Sequence, residues 1–364
     1  MKKNKLTRRR ALAGFGSLIA ASPLSADQPP KLIGEPPGRI APRADLVNVL
    51  EFEGMAERSL NPGLFATIAG GDRAYFDRIT FRPRMMVPTT NLDLTVEIFG
   101  EKMFTPIMAG PISRQQALHP DGELATVRAA AAAKAAMVVS SDSSVPIEKL
   151  AAEAKTSLWY QIFPDRNVNT ARTRIQTAVK AGCKAIVLTV SAPYRAAGSE
   201  GPPSPGKLPA LGIAAADWRV IDQLRQGLTV PFVLKGIMTP EEAQAAVQKG
   251  VQGIVVSNYG GLLTPGLAPP MEMLPGIADA VGGRVPVLID GSFRRGSDIL
   301  KALVLGAQCV LLARPVMWGL AAYGADGVQG VLEMLQTELG RSITQCSKPN
   351  LKALDRTVVK IHQG

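Results

Sequence analysis

The sequence predicts an α/β fold, a (β/α)8 TIM barrel with an N-terminal helical cap. Short apolar runs recur eight times, each ending at or directly before Gly, Pro, Ser, Asn or Asp, and helical stretches separate them. Continuously apolar runs are typical of parallel strands buried on both faces, and eight strand–helix units occupy about 250 residues in such barrels. The predicted strands span residues 106–111, 137–141, 158–163, 185–190, 231–236, 253–258, 285–290 and 309–314.

The stretches between these runs have helical patterning. They include residues 122–134, 168–181, 240–249 and 297–305. The third begins with Thr239 as an N-cap and a proline at the first helical position, which is a well-formed helix start. A doubly wound open sheet is the competing architecture. The count of eight runs favours a closed barrel, as does the lack of a Gly-x-Gly-x-x-Gly turn after the first run.

The N-terminal residues predict export. Basic residues ending in Arg8-Arg9-Arg10 precede the apolar run 11–21, and a small-residue cleavage site follows it. This pattern indicates a signal peptide over residues 1–26, of the twin-arginine type; an ordinary Sec signal is the alternative. Because the apolar run is too short to span a bilayer, we expect an exported, periplasmic protein without a permanent membrane anchor.

The rest of the chain divides into four predicted segments. Residues 27–43 are rich in Pro and Gly and form a linker. Residues 44–105 form the cap, residues 106–340 the barrel, and residues 341–364 a C-terminal tail that packs on the barrel.

Charge and cysteine content exclude several functional classes. Removal of the signal peptide lowers the formal net charge from +11 to +5, and no basic stripe with interleaved aromatic residues remains. We therefore expect no nucleic-acid partner. Cys183, Cys309 and Cys346 form neither a disulfide framework nor a metal-ligand spacing, so no metal site is predicted. The remaining partner class is a small-molecule substrate, and the chain is compatible with a homo-oligomer.

Polar residues end most of the predicted strands. Gln161, Thr189, Lys235 and Ser257 each lie at the carboxyl end of an apolar run, and the glycine- and arginine-containing segment 290–297 follows the seventh run. Barrels of this type bind ligands at that end, and phosphate often binds after strands seven and eight. Glycine lets backbone N–H groups approach a phosphate, and arginine offers a bidentate fork. These residues therefore predict a site for a phosphate-bearing cofactor.

The same residues form motifs that resemble those of a known family. From about Asp45 to the C-terminus, the chain resembles the FMN-dependent α-hydroxy acid oxidases and dehydrogenases. The motifs are Lys235-Gly236-Ile237, Ser257-Asn258-x-Gly260-Gly261, Asp290-Gly291-x-x-Arg294-Arg295-Gly296-x-Asp298-x-x-Lys301-Ala302-Leu303-x-Leu305-Gly306-Ala307, Arg314-Pro315, Phe81-Arg82-Pro83-Arg84 and His119-Pro120-x-Gly122-Glu123.

The resemblance implies that FMN is the cofactor. Lys235 would place positive charge near the N1–C2 carbonyl region of the flavin, Asp290 would hold the ribityl hydroxyls, and Gly291, Arg294 and Arg314 would hold the phosphate. Pro111, Ile112 and Ser113 would lie against the ring. The full implied cofactor set is Pro111, Ile112, Ser113, Ser140, Gln161, Thr189, Lys235, Ser257, Asp290, Gly291, Ser292, Phe293, Arg294, Ala313 and Arg314.

The catalytic half of the family pattern is not present in this sequence. Tyr259 stands where the family has its histidine base, and Leu262 where it has an arginine that binds the substrate carboxylate. The positions of the orienting aspartate, a second arginine and two substrate tyrosines are occupied by Ser191, Gly198, Thr67 and Phe163.

The only two histidines, His119 and His362, do not end a predicted strand. Tyr259 with Lys235 is therefore the candidate catalytic pair, although a phenol of pKa about 10 is a poor base near neutral pH; the alternative is that Tyr259 fills space above the flavin. We expect an FMN-binding oxidoreductase of the hydroxy acid oxidase type with altered or lost hydroxy acid specificity. A flavin-binding protein without turnover and a non-redox FMN enzyme are the alternatives.

Overall fold

A computed structural model describes residues 40–83, 92–164, 167–190, 217–259 and 268–362. The predicted signal peptide and most of the predicted linker lie outside these ranges. Ser191, Gly198 and Leu262, which the family comparison singles out, also lie outside them.

The described strands confirm the predicted barrel. Eight of them are parallel and close on themselves in the order β10-β11-β4-β5-β6-β7-β8-β9. Each of these strands overlaps a run that the sequence predicted, and the ends of strand and run differ by at most two residues. In chain order the strands are β1 Ile79–Phe81, β2 Val96–Ile98, β3 Glu101–Met103, β4 Ile107–Ala109, β5 Ala136–Ser140, β6 Leu158–Ile162, β7 Ile186–Thr189, β8 Phe232–Ile237, β9 Gly253–Val256, β10 Val287–Ile289, β11 Cys309–Leu312 and β12 Val359–Ile361.

Helices follow the barrel strands. Thr239 caps α8 as expected, with its hydroxyl accepting from the Glu242 N–H at 3.2 Å. None of the helices among the described residues is long and apolar enough to cross a membrane. The helices are α1 Leu50–Ser59, α2 Pro62–Ala66, α3 Ala74–Asp77, α4 Gly122–Ala132, α5 Ile147–Glu153, α6 Val168–Lys180, α7 Trp218–Arg225, α8 Pro240–Gln248, α9 Pro270–Val281, α10 Gly296–Val304 and α11 Arg314–Gln345.

A β-hairpin closes the amino end of the barrel, where the sequence predicted a helical cap. Strands β2 and β3 pair antiparallel, and Ile98 and Met103 join the buried cluster inside the barrel. The ring of Phe99 lies 5.5 Å from that of Trp159 and contacts Gly253 at the start of β9. The N-terminal segment is therefore mixed, with helices α1 to α3 and the β2–β3 hairpin.

The C-terminal tail pairs with the N-terminal segment. Helix α11 continues to Gln345, five residues beyond the predicted barrel boundary. Strand β12 then pairs antiparallel with β1, with Ile79 opposite Ile361. Strand β12 of the tail thus makes its ladder hydrogen bonds with the cap strand β1.

Helix α11 bends sharply at Gly324, whose φ of 58° and ψ of −136° are not helical. Gly319 and Gly327 lie on either side of the bend, and their backbones touch. A Cβ atom built on Gly327 would lie 2.0 Å from the carbonyl oxygen of Gly319. Glycine is therefore required where the two halves of the helix approach each other.

We predict that Gly327→Ala destabilises the fold by about 1–3 kcal/mol, because the added methyl group overpacks this contact. Gly54→Ala in α1 is the matched control, since no atom lies within 4 Å of its Cβ position; helix propensity should make it neutral or stabilising by up to about 1 kcal/mol. Urea unfolding of both variants measures the difference. Equal unfolding free energies would show that the bend tolerates a side chain.

Candidate functional site

A chain of hydrogen bonds joins polar side chains at the carboxyl ends of β4 to β7. The hydroxyl oxygens of Ser113 and Ser140 lie 3.2 Å apart, and Ser140 donates to Gln161 Oε1 at 3.1 Å. Gln161 Nε2 then donates to Thr189 Oγ1 at 2.9 Å. Ser140, Gln161 and Thr189 are buried. The structure thus brings together four residues of the cofactor set that the resemblance implies.

Lys235 is the buried charge of this face. Its ammonium group donates to Ser257 Oγ at 2.7 Å and lies 2.7 Å from Asp290 Oδ2. The Lys235 side chain is 2% exposed, whereas that of Asp290 is 21% exposed. The pairing of β8 with β9 is irregular between Lys235 and Ile237, and such irregularities re-aim side chains next to active sites. The ion pair offers a fixed positive charge and a partly accessible carboxylate at the same place.

The ring of Tyr259 lies beside this ion pair, and the ring of Phe163 lies next to that of Tyr259. The Lys235 ammonium lies 5.2 Å from the centre of the Tyr259 ring, over its face. The ring of Phe163 lies 5.8 Å from that of Tyr259. Tyr259 is 39% exposed. Its position next to Lys235 agrees with both interpretations of the residue, as an acid–base group and as a residue that fills space.

Two arginines converge at the other end of the site, after β10 and β11. Arg294 Nη2 and Arg314 Nη1 donate to the carbonyl oxygen of Gly70 at 2.7 and 2.8 Å. Arg314 Nη2 also donates to Ser292 Oγ at 3.3 Å. Gly291 and Ser292 have positive φ values of 110° and 58°. The backbone therefore turns sharply in the segment that leads from β10 to Arg294.

The electrostatics of this end favour an anion. Burial, with Arg314 as the second cause, lowers the pKa of Arg294 to about 9, and burial also lowers the pKa of Arg314. Among the described residues neither guanidinium has a carboxylate within ion-pair distance. The Arg294 guanidinium lies 4.4 Å from the Trp318 ring, over its face. Two desolvated cations that repel each other gain most from a shared phosphate.

The cap loop at Gly70 and Gly71 also contacts these arginines, and the sequence motifs did not predict this contact. A Cβ atom on Gly71 would lie 2.9–3.0 Å from Ser292 Oγ, Arg294 Nη2 and Arg314 Nη1. Arg73 holds the loop down through a two-point contact with Asp298, at 2.6 and 3.1 Å. The consecutive glycines followed by an arginine were the available signal, but only the fold brings them to the phosphate end.

The remaining predicted residues occupy several environments. Phe293 is buried with its ring 5.1 Å from that of Phe76, so its side chain packs in the core. Ala313 precedes α11 as its N-cap residue. The hydroxyl of Thr67 donates a hydrogen bond to the carbonyl oxygen of Leu64 in α2. Arg295 forms an ion pair with Glu338 at 2.9 Å instead of joining the other arginines.

Both histidines are engaged away from the strand ends. The Nδ1 atom of His119 accepts from the Asp121 N–H at 3.2 Å, as expected of a structural residue in a turn. His362 Nε2 lies 2.8 Å from Thr80 Oγ1, beside the β1–β12 pair. Since the sequence contains only these two, no histidine ends a strand of the barrel.

The residues present fit FMN. The guanidiniums of Arg294, which is buried, and of Arg314, which is partly buried, suit its phosphate. The partly exposed carboxylate of Asp290 suits its ribityl hydroxyls. The Ser140–Gln161–Thr189 chain offers donors and acceptors to the polar edge of a flavin ring. Lys235 would supply a positive charge where negative charge develops as the flavin is reduced.

Comparison with known proteins gives the same result. The model of the FMN-dependent dehydrogenase family matches residues 67–200 and 207–361. A peroxisomal (S)-2-hydroxyacid oxidase of Arabidopsis thaliana is 36% identical, with 86% of this chain and 96% of that protein covered. A 4-hydroxymandelate oxidase of Amycolatopsis orientalis is 36% identical, with 78% of this chain and 90% of that protein covered.

The fold comparison points to the same group. A crystal structure of mandelate oxidase with (S)-2-phenylpropionate superimposes with a TM-score of 0.79 at 35% identity, covering 88% of this chain and 100% of the other.

We predict that Arg314→Ala and Arg294→Ala weaken FMN retention. Each removes charge-assisted contacts of about 1.5–3 kcal/mol, equivalent to a roughly 10–150-fold rise in the FMN dissociation constant. Arg295→Ala is the matched control, because the Arg295 side chain is directed at Glu338. Recovery of free FMN fluorescence on dilution of the holoprotein measures retention. A wild-type protein that stays colourless when FMN is added would contradict the assignment of this site.

Proposed function

Because this chain belongs to the FMN-dependent dehydrogenase family and takes FMN as its cofactor, we propose that it is an oxidoreductase whose hydroxy acid specificity is altered or lost. The observation that carries the proposal is the environment of Lys235. Tyr259 lies beside it and Phe163 lies beside Tyr259, and both histidines of the chain are hydrogen-bonded elsewhere. Bound FMN supplies a two-electron acceptor, and the protein must supply the base and the substrate contacts.

Oxidation of a 2-hydroxy acid requires a base that accepts a proton from the substrate. Imidazole has a pKa near neutrality and suits this role, whereas phenols in general are poor bases at neutral pH. Lys235 lies over the face of the tyrosine ring, and in that position the ammonium interacts with the ring itself. This geometry favours Tyr259 as a residue that fills space over the flavin.

The same substrates also require cations that bind the carboxylate. Among the described residues, the cations of the site are already engaged. Lys235 pairs with Asp290, and Arg294 and Arg314 bind the Gly70 carbonyl at the phosphate end. Leu262 and Gly198 stand at the positions where the family has its arginines. We therefore propose that the natural substrate is a small molecule whose binding does not require a contact between a carboxylate and these arginines.

We predict that L-lactate, glycolate and mandelate reduce the bound flavin slowly or not at all. The loss of a general base lowers rates by about 10²–10⁴-fold, and the loss of buried charge partners removes about 2–5 kcal/mol of binding. Anaerobic stopped-flow mixing of the oxidised holoprotein with millimolar L-lactate measures the reaction. An L-lactate oxidase relative mixed in the same way is the positive control.

Rapid bleaching of the flavin would refute this prediction and would assign a base and a carboxylate contact to other residues. Arg195, which lies outside the described residues, would then be the candidate cation. Tyr259→Phe would be the deciding variant, because only a catalytic phenol makes the hydroxyl necessary. A flavin that no donor reduces would instead favour a binding protein without turnover.

We also propose that the protein is exported through the twin-arginine route. The basic residues up to Arg10, the apolar run 11–21 and the small residues that follow support this proposal. The route transports folded proteins, so that FMN would be inserted in the cytoplasm before export.

We predict that replacing Arg8 and Arg9 together by Lys retains the protein in the cytoplasm, because the twin-arginine route requires the arginine pair while the charge is unchanged. Lys5→Arg is the control for a conservative change outside the pair. Cell fractionation followed by immunodetection measures the distribution. Unchanged export of the double variant would assign the signal to the Sec route.

A further inference from the structure

Glu123 is a buried carboxylate that the chemistry of the site does not use. It lies in the first turn of α4 and is 0% exposed. A buried carboxylate is costly unless hydrogen bonds and charge compensate for it. Here its Oε1 atom accepts the backbone N–H groups of Gln115 at 3.0 Å and of Ser144 at 2.9 Å, and the N-terminus of α4 favours the negative charge.

The two N–H groups belong to different loops of the flavin face. Gln115 follows β4 and lies two residues after Ser113, whereas Ser144 follows β5 and lies four residues after Ser140. The loops meet again where the Arg114 N–H donates to the carbonyl oxygen of Asp142 at 3.0 Å. One carboxylate oxygen therefore joins the loop that carries Ser113 to the loop that follows Ser140 at the end of β5.

The first of these loops has a strained backbone. Arg114 adopts the left-handed conformation, with φ 52° and ψ 49°, which costs a residue other than glycine about 1–2 kcal/mol. Such conformations persist only where the surroundings hold them. The next residue, Gln115, is held at its N–H by Glu123 and at its side-chain oxygen by the Thr126 hydroxyl. Two residues of α4, Glu123 and Thr126, thus fix Gln115 next to the strained residue.

The second oxygen of the carboxylate indicates what the group contributes. Glu123 Oε2 is buried and has no hydrogen-bond partner among the described residues, and an unsatisfied buried polar atom costs about 1–3 kcal/mol. The hydrogen bonds that the carboxylate makes there are therefore those of Oε1, which fix the two loops relative to each other.

We propose that Glu123 is a positioning residue for the flavin. It sets the distance between the Ser113 and Ser140 hydroxyls, and through Ser140 it sets the start of the chain that runs to Gln161 and Thr189. The proposal concerns the FMN-bound protein alone and does not depend on the substrate.

Two variants separate length from charge. Glu123→Gln keeps an oxygen at the same distance from both N–H groups, whereas Glu123→Asp keeps the charge but is one methylene too short to reach them both. We expect visible circular dichroism of bound FMN to be near wild type in the Gln variant and altered in the Asp variant. FMN release on dilution should reveal at least about tenfold weaker binding in the Asp variant, equivalent to about 1.4 kcal/mol.

Glu148→Asp on the exposed face of α5 is the control for the same chemical change and should leave both readouts unchanged. An Asp variant with wild-type dichroism and FMN affinity would overturn the proposal. The reverse order, with Gln altered and Asp normal, would also overturn it, because the charge would then matter and the reach would not. Because the proposal makes no use of turnover, inactivity towards any substrate leaves these outcomes interpretable.

Discussion

The ion pair between Lys235 and Asp290 is the interaction on which the carboxyl face of the barrel depends. An ammonium that is 2% exposed must have partners, and removing one partner of a buried pair costs about 3–5 kcal/mol. The irregular backbone at Gly236 aims Lys235 at its two acceptors, so that Asp290, Ser257 and Tyr259 all take their positions around one charge. With FMN bound, this charge would stabilise the electron density that the flavin gains on reduction.

A different principle applies at the candidate phosphate site, where the guanidinium of the buried Arg294 and that of the partly buried Arg314 repel each other. Arg294 and Arg314 meet at the carbonyl oxygen of Gly70, and burial lowers the pKa of both. The cap loop is held there by Arg73 on Asp298, whose Oδ2 atom also accepts the Arg294 N–H. Cap and barrel are thus coupled where the cofactor phosphate would bind. The predicted flavin-binding residues are joined by hydrogen bonds within each part of the site.

The sequence predicted the strands well because each is a short apolar run and most have a polar end, and this pattern is local. The motifs predict the cofactor residues from equally local patterns, and those assignments stay predictions. The sequence did not predict that the β2–β3 hairpin closes the amino end of the barrel. The contact between Phe99 and Trp159 joins residues that are distant in sequence and forms only when the barrel folds. Nor did the sequence identify Gly70 and Gly71 or the role of Glu123. Their functions arise from contacts with residues distant in sequence, such as Arg314 for Gly70 and Ser144 for Glu123.

The reduction potential of bound FMN tests most directly whether the face is built around Lys235. In Lys235→Met the positive charge is lost and Asp290 is left without its partner, so the potential should fall. A charge interaction of about 1.5–3 kcal/mol corresponds to a shift of about 30–65 mV for a two-electron couple. Ser257→Ala, which removes a hydrogen bond and keeps the charge, should shift it much less. A Lys235→Met protein that binds FMN with an unchanged potential would contradict the account.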